Sequence, residues 1–226
     1  MPDQVAEPPI GWLDRLEPGA PSAVAAFRGV EAGRFISVRR EVRHRAGAGS
    51  AGRIAAELAA IAEALTELLE RLPEAALMAP GGEADWNVAQ AIGHAAESRA
   101  GLAVAGALAA GGRFPADART VVPGVPGARD VPREALVRRV AASQRIVERA
   151  ARSIAGHEED PCPLEHPLVG RLRCGEWLLF AGVHDLMHLE QLHGIATAFA
   201  PAPAMQAGIA EPGAAGAVRR ATTARP

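Results

Sequence analysis

The chain has 226 residues, enough for one well-buried domain with ends to spare, and its 49% hydrophobic and 22% charged residues are ordinary for a soluble globular protein. No apolar run of about 18 residues occurs, which excludes a membrane-spanning helix, and the acidic N-terminus MPDQVAEPPIGWLDRLEP lacks the order of a secretory leader, so the cytoplasm is the expected location. A net charge of −2 gives no general attraction to nucleic acid.

All 24 basic residues are arginine, and Ala, Gly and Pro are abundant, which reads as codon pressure in a GC-rich genome. Arginine in place of lysine therefore carries little functional meaning, and Ala-rich helices are hard to phase because Ala is tolerated on either face. Cys162 and Cys174 lack CxxC spacing and read as small apolar fillers in a reducing compartment.

Residues 1–50 contain Pro8, Pro9, Pro18 and Pro21 with no sustained periodicity, and read as a mostly irregular extension. Arg34, Arg39, Arg40, Arg43 and Arg45 cluster there, opposed only by Glu31 and Glu41; the cluster is either a patch for an anionic partner or a solvated extension. Gly47 to Gly52 reads as a linker. From Arg53 to Leu72 the pattern sharpens: Ile54, Leu58, Ile61, Leu65, Leu68 and Leu72 trace one face of a helix that Pro73 ends.

A loop through Pro80-Gly81-Gly82 leads to a second helix, expected from Trp86 to about Ala110, with Asp85 as its N-cap and Gly111-Gly112 as its stop. A third helix is framed by Asp130 as cap and Pro132 in the first turn, with Leu136, Val140, Ser143, Val147, Ala150 and Ile154 as its seam. The fourth runs from Gly175 to about Ala200 with the seam Trp177, Ala181, His184, His188, Gln191 and Ile195.

Four such helices over residues 51–200 predict an all-α four-helix bundle, with no competing strand alternation. The long connections 111–129 and 156–174 suggest crossovers or site-covering loops. Beyond Pro201 an Ala/Pro/Gly tail to residue 226 is expected to be disordered.

His184 and His188 sit at i and i+4, one above the other on a helix, so both imidazoles can reach a single ion. They take seam positions that Leu and Ile take elsewhere, and so face the core. Of the other histidines, His44 lies in the basic extension, His157 at a helix end and His166 in a loop. His193 points about 140° away from His188. Only His94 falls mid-helix among apolar and small residues, where a polar side chain needs a partner.

The run Trp86-Asn87-Val88-Ala89-Gln90-Ala91-Ile92-Gly93-His94 resembles the second-helix signature of the DinB-like (DinB/YfiT) superfamily. His166-Pro167-Leu168-Val169-Gly170 with Glu176-Trp177 is similar to that family's approach to its last helix, and His184-Asp185-Leu186-Met187-His188 with Gln191 to its terminal pattern. The resemblance covers about residues 53–197. Asn87 stands where Ser or Thr is usual and Arg173 where Thr is usual, which touches the helix caps and leaves the histidines alone.

The resemblance implies that His94, His184 and His188 hold a divalent metal, zinc or nickel most often, with open positions for water and a small-molecule substrate. It further implies thiol S-transferase chemistry on low-molecular-weight bacterial thiols as co-substrates, thiol-dependent isomerisation, or metal-dependent hydrolysis, by a metal-lowered pKa of a bound thiol or water. A homodimer is compatible with such a bundle.

Two rivals compete. His184 to His188 has the spacing of the zinc-peptidase H-E-x-x-H motif, but Asp185 replaces the glutamate base one methylene short. The other rival is a non-catalytic bundle that binds a metal or small ligand as a sensor. Catalytic acids and bases are not identified: Asp185 and Glu190 have phases that suggest solvent, Glu97 is the better candidate to support an imidazole, and Gln191 can bond a ligand or cap the core. Trp86 and Trp177 read as core or pocket wall.

Overall fold

The computed structural model describes residues 11–31, 35–81, 86–117, 121 and 127–199. In chain order they form α1 (Trp12–Leu16), α2 (Pro21–Glu31), α3 (Phe35–Arg45), α4 (Ala51–Arg71), α5 (Val88–Ala109), α6 (Arg133–Ile154), β1 (Pro161–His166), β2 (Gly170–Arg173) and α7 (Cys174–Ala198), with short 3-10 turns at Glu74–Met78 and Ala110–Gly112. Among the described residues no helix is long and apolar enough to cross a membrane.

The expected bundle is α4 to α7. The α4 seam residues Ile54, Leu58, Ile61, Leu65, Leu68 and Leu72 are all buried, as are Leu136, Val140, Ser143, Val147, Ala150 and Ile154 on α6. Both helices divide into an apolar and a charged face, as outer members of a bundle should. In contrast α5 and α7 are apolar nearly all round, and α7 buries residues on every side of its axis from Cys174 to Asp185.

Packing partners give the topology. α4 and α5 each lie against both α6 and α7, so α4 stands diagonally across from α5 and α6 across from α7. The 156–174 connection is therefore a crossover, as its length suggests, while 111–129 joins neighbours. The shorter 73–87 connection also crosses the bundle. α5 and the start of α7 approach so closely that a Cβ at Gly106 would lie 2.6 Å from the Cys174 carbonyl oxygen. Only glycine fits there.

Several boundaries differ from the sequence reading. Asn87, not Asp85, caps α5: its side chain accepts from the Gln90 N–H at 2.9 Å while its own N–H donates to Gln90 Oε1 at 3.1 Å. This reciprocal capping box uses Asn where Ser or Thr is usual at no chemical loss. Asp85 lies outside the described residues. Pro132 is the cap residue of α6 rather than a member of its first turn, with extended ψ of 154°. At α7 the Arg173 N–H donates to Glu176 Oε2 at 2.9 Å.

Two larger expectations are corrected. The 156–174 connection contains an antiparallel hairpin, β1–β2, with Glu165 opposite Arg171 and His166 opposite Gly170. Its strands are short and irregular in register, which leaves no sequence alternation to see. The region before residue 50 is not mostly irregular: α1 to α3 occupy much of it, and Ala23, Val24, Phe27, Val38 and Val42 are fully buried. α2 packs against α3, α4 and α7, so these helices belong to the same core. The Gly-rich linker is also shorter than expected, since α4 already starts at Ala51.

Buried carboxylates fasten the added layer. Glu57, 3% exposed, accepts the Ser22 and Ala23 N–H groups at 2.8 and 3.0 Å, and so caps α2 from the side of α4. Arg53 pairs with the same carboxylate at 2.5 Å. Glu158 accepts from Gly156 N at 3.0 Å and Ala51 N at 3.3 Å, joining the crossover to the first turn of α4. The buried Glu176 meets the exposed Arg43 at 3.0 Å, which ties part of the basic cluster to α7. Arg39, Arg40 and His44 remain on the exposed face of α3, and Arg34 and the tail 201–226 lie outside the described residues.

Glu57→Ala would orphan two helix-terminal N–H groups, at about 1–3 kcal/mol for each buried group left unpaired. Equilibrium denaturation should show a loss of about 2–4 kcal/mol, and hydrogen exchange should show the amides of α2 deprotected before those of α4.

Candidate metal centre

α5 presents His94, and α7 presents His184 and His188. Their candidate ligand nitrogens all lie within 4.8 Å of one another, and the ring centroids are 5.3 Å apart for His94–His184, 5.4 Å for His94–His188 and 4.7 Å for His184–His188. Zinc–imidazole bonds of about 2.0–2.1 Å put neighbouring ligand nitrogens about 3.3 Å apart in a tetrahedron, within small side-chain rotations of this arrangement. His188 is buried, and His94 and His184 are half-buried, so the cluster opens on one side.

The surroundings fit a cation. Gln191 Oε1 lies 2.9 Å from His188 Nδ1; with the amide oxygen as acceptor, the ring proton is assigned to Nδ1 and Nε2 is left free to ligate. Gln191 therefore fixes the tautomer and orientation of the His188 imidazole. His184 Nδ1 is shielded from solvent and makes no hydrogen bond among the described residues, an orphaned polar atom of the kind that a metal or a bound ligand satisfies. Ser98 Oγ lies 3.3 and 3.4 Å from the two ring nitrogens of His94. Trp86 meets the His94 ring edge-on at 5.0 Å and forms a wall of the site.

Burial holds the His184 pKa well below 6.5, and the neighbouring His188, His94 and His166 reinforce the effect. The unprotonated imidazole, the form that ligates, is thus present in the folded chain at neutral pH.

The α5–α6 connection lies on the backbone of this site. A Cβ at Gly127 would stand 2.5 Å from the Gln90 carbonyl and 2.8 Å from the His94 N, and Asn87 Nδ2 donates to the Arg129 carbonyl at 3.1 Å. Residues 127–129 thus pack on the α5 backbone between Asn87 and His94, and the connection joins neighbouring helices without crossing the bundle.

The carboxylates are distributed differently from the sequence reading. Asp185 does not face solvent: it is 1% exposed, and Oδ2 lies 2.7 Å from Nε of Arg99, which is 0% exposed. Burial pushes the Asp185 pKa up to about 6 despite the adjacent guanidinium. Glu97 turns outward and pairs with Arg139 at 3.5 Å, far from the support role assigned to it, and Glu190 is exposed.

Arg99 was missed altogether. Its only signal was that it is the sole arginine of α5, five residues after His94. Helical phase does not reveal the burial of Asp185 because α7 is buried on all sides from Cys174 to Asp185, so no face of these turns is a solvent face.

Three further histidines lie apart. His193 stacks on Trp12 at 4.9 Å, His157 bonds Asp160 at 2.9 Å, and His44 is exposed on α3. Trp177 is wholly buried core.

Arg99→Leu would leave the Asp185 carboxylate buried without its counter-charge, and a loss of about 3–5 kcal/mol is expected in denaturant unfolding. Replacing both residues by leucine should recover most of it. For His184 the unfolded chain takes up a proton first as pH falls below the ordinary histidine value of 6.5, whereas the folded chain does so only well below it. Metal-free protein should therefore lose thermal stability as pH falls from about 7 to about 5, and His184→Asn should flatten that slope.

A sequence model of the family described as the DinB superfamily matches residues 58–192, from the second turn of α4 to just past His188 on α7. No curated protein and no solved structure matches the chain. The family match covers more than half of the sequence and includes both helices that carry the three histidines, so the chain belongs to the DinB superfamily.

Proposed function

We propose that His94, His184 and His188 are the ligands of one divalent metal, zinc or nickel, and that the chain is a metal-dependent enzyme with thiol S-transferase or hydrolase chemistry on a small-molecule substrate. The observation that carries the reading is the meeting of three imidazoles from two helices, with no Asp, Glu or Cys joining the cluster among the described residues. Three protein ligands leave coordination positions open, the mark of a catalytic rather than a structural site. A divalent ion held there supplies a lowered pKa for a thiol or water in an open position.

The chain's own residues support that role. Gln191 orients His188, burial keeps His184 unprotonated, and Trp86 with the 127–129 segment walls the α5 side. Asp185 is sequestered by Arg99, so the peptidase reading loses its base. With no carboxylate in the cluster to take a proton from water, thiol transfer fits better than hydrolysis, because a thiol is already close to ionisation at neutral pH. The same lack of a base in the cluster is what favours the second reading, a non-catalytic bundle that binds a metal or small ligand.

Elemental analysis of the purified protein should show about one divalent ion per chain, the complement of an open three-ligand site, and His188→Ala should lose it. Unchanged metal content in that variant would remove the triad. Turnover assays with mycothiol, bacillithiol and glutathione plus an electrophile then separate the readings. Thiol-dependent turnover supports the transferase, whereas a full metal complement without turnover favours the binding module.

A further inference from the structure

A fourth histidine stands beside the centre on a different element. His166 ends β1, opposite Gly170 in the hairpin, and its half-buried ring meets Phe180 edge-on at 5.0 Å and Trp177 at 6.3 Å. Trp177, Phe180 and His184 follow one another at i, i+3 and i+7 along a single face of α7, so the hairpin lays His166 on the face that leads to the triad. It is near enough that a charge on its ring bears on the protonation of His184. It does not belong to the ligand cluster.

The ring is held, not loosely placed. Val169 and Leu172 anchor the hairpin in the core at 4% and 3% exposure, and Val121 bridges to Glu165 from the α5–α6 connection. His166 Nδ1 accepts the Leu168 N–H at 3.2 Å. In the neutral ring that bond assigns the proton to Nε2, which makes Nε2–H a fixed donor. Burial lowers the pKa of His166, so this neutral form is the one present at neutral pH.

We propose that His166 is a substrate-binding residue, whose Nε2–H donates a hydrogen bond to a carbonyl or carboxylate oxygen of a molecule occupying the open side of the His94–His184–His188 centre. The inference rests on the metal reading above and adds the class of ligand: one with a hydrogen-bond acceptor beside its metal-facing atom. A half-buried, oriented donor next to an open coordination position discriminates between ligands, because a ligand without an acceptor leaves the donor unpaired.

The test uses the full chain loaded with cobalt(II), with azide as the probe, followed by visible absorbance. Azide combines an atom that ligates with a distal nitrogen that accepts a hydrogen bond. Two variants divide the functions of the ring. In His166→Asn the side-chain oxygen can still accept from Leu168 N–H, but the Nε2 donor is gone; in His166→Gln the donor reach is kept and the turn bond is lost.

The Asn variant should bind cobalt and melt like the unaltered protein while its azide affinity falls about tenfold, the size of one hydrogen bond to a charged acceptor. The Gln variant should keep azide affinity and melt lower. Equal azide affinity in the Asn variant and the unaltered protein would overturn the proposal, as would weak azide binding in both variants. Loss of cobalt from the Asn variant would make His166 a ligand and overturn it as well. Should the Asn variant unfold, His166→Phe takes its place, keeping the ring contact with Phe180. A protein that takes up no cobalt before any substitution fails the metal reading itself, and this proposal with it.

Discussion

One buried charge holds the bundle in register. The Arg99 guanidinium starts on α5 and reaches the other three helices of the bundle: the Leu58 carbonyl on α4 at 2.8 Å, Ser143 and Gln144 on α6 at 3.3 and 3.0 Å, and Asp185 on α7 at 2.7 Å. Apolar faces can slide by a turn at modest cost, but an arginine and an aspartate buried together tolerate no such shift, since either ion alone would be stranded in a low-dielectric interior. Asp185 is the residue after His184, and Arg99 lies little more than a turn beyond His94. The pair therefore fixes the relative height of the two helices that carry the three imidazoles. A binding site that needs nitrogen atoms placed within ångströms depends on that register.

What the sequence revealed follows from how each helix is used. α4 and α6 have a solvent face, so their apolar seams could be phased and every seam residue is buried. α5 and α7 sit against neighbours on most sides, and their Ala- and Leu-rich runs carry no phase that separates inside from outside. Asp185 and Glu97 were consequently assigned to the wrong surroundings. The histidines were legible for the same reason that phase was not: a polar side chain in a helix that is apolar all round stands out. His94, His184 and His188 meet in the structure, and the family match over residues 58–192 covers all of them.

Elements with short or non-periodic signals were hidden. The β1–β2 hairpin depends on pairing across a turn, with an irregular register that erases alternation. α2 and α3 are each 11 residues long and bring few large apolar side chains. Their docking relies on side-chain-to-backbone bonds that no local pattern announces. Glu57, Glu158 and Glu176 are glutamates in helices or turns whose expected place is the surface, and each is instead buried against backbone N–H groups or arginine. Isolated residue identities cannot reveal this, because the partner lies up to 133 positions away in sequence, as for Arg43 and Glu176.

The cap that Glu57 places on α2 has a consequence for where this protein can be divided. The family match begins at residue 58, one residue after that carboxylate. A boundary drawn there would separate Val24 and Phe27 from the α4 and α7 surfaces that bury them, and would remove the first turns of α4 together with their link to Glu158. The unit shared with relatives and the unit that folds are thus different lengths of chain. The histidine centre sits inside the shorter one, while the core that buries α7 extends through the longer.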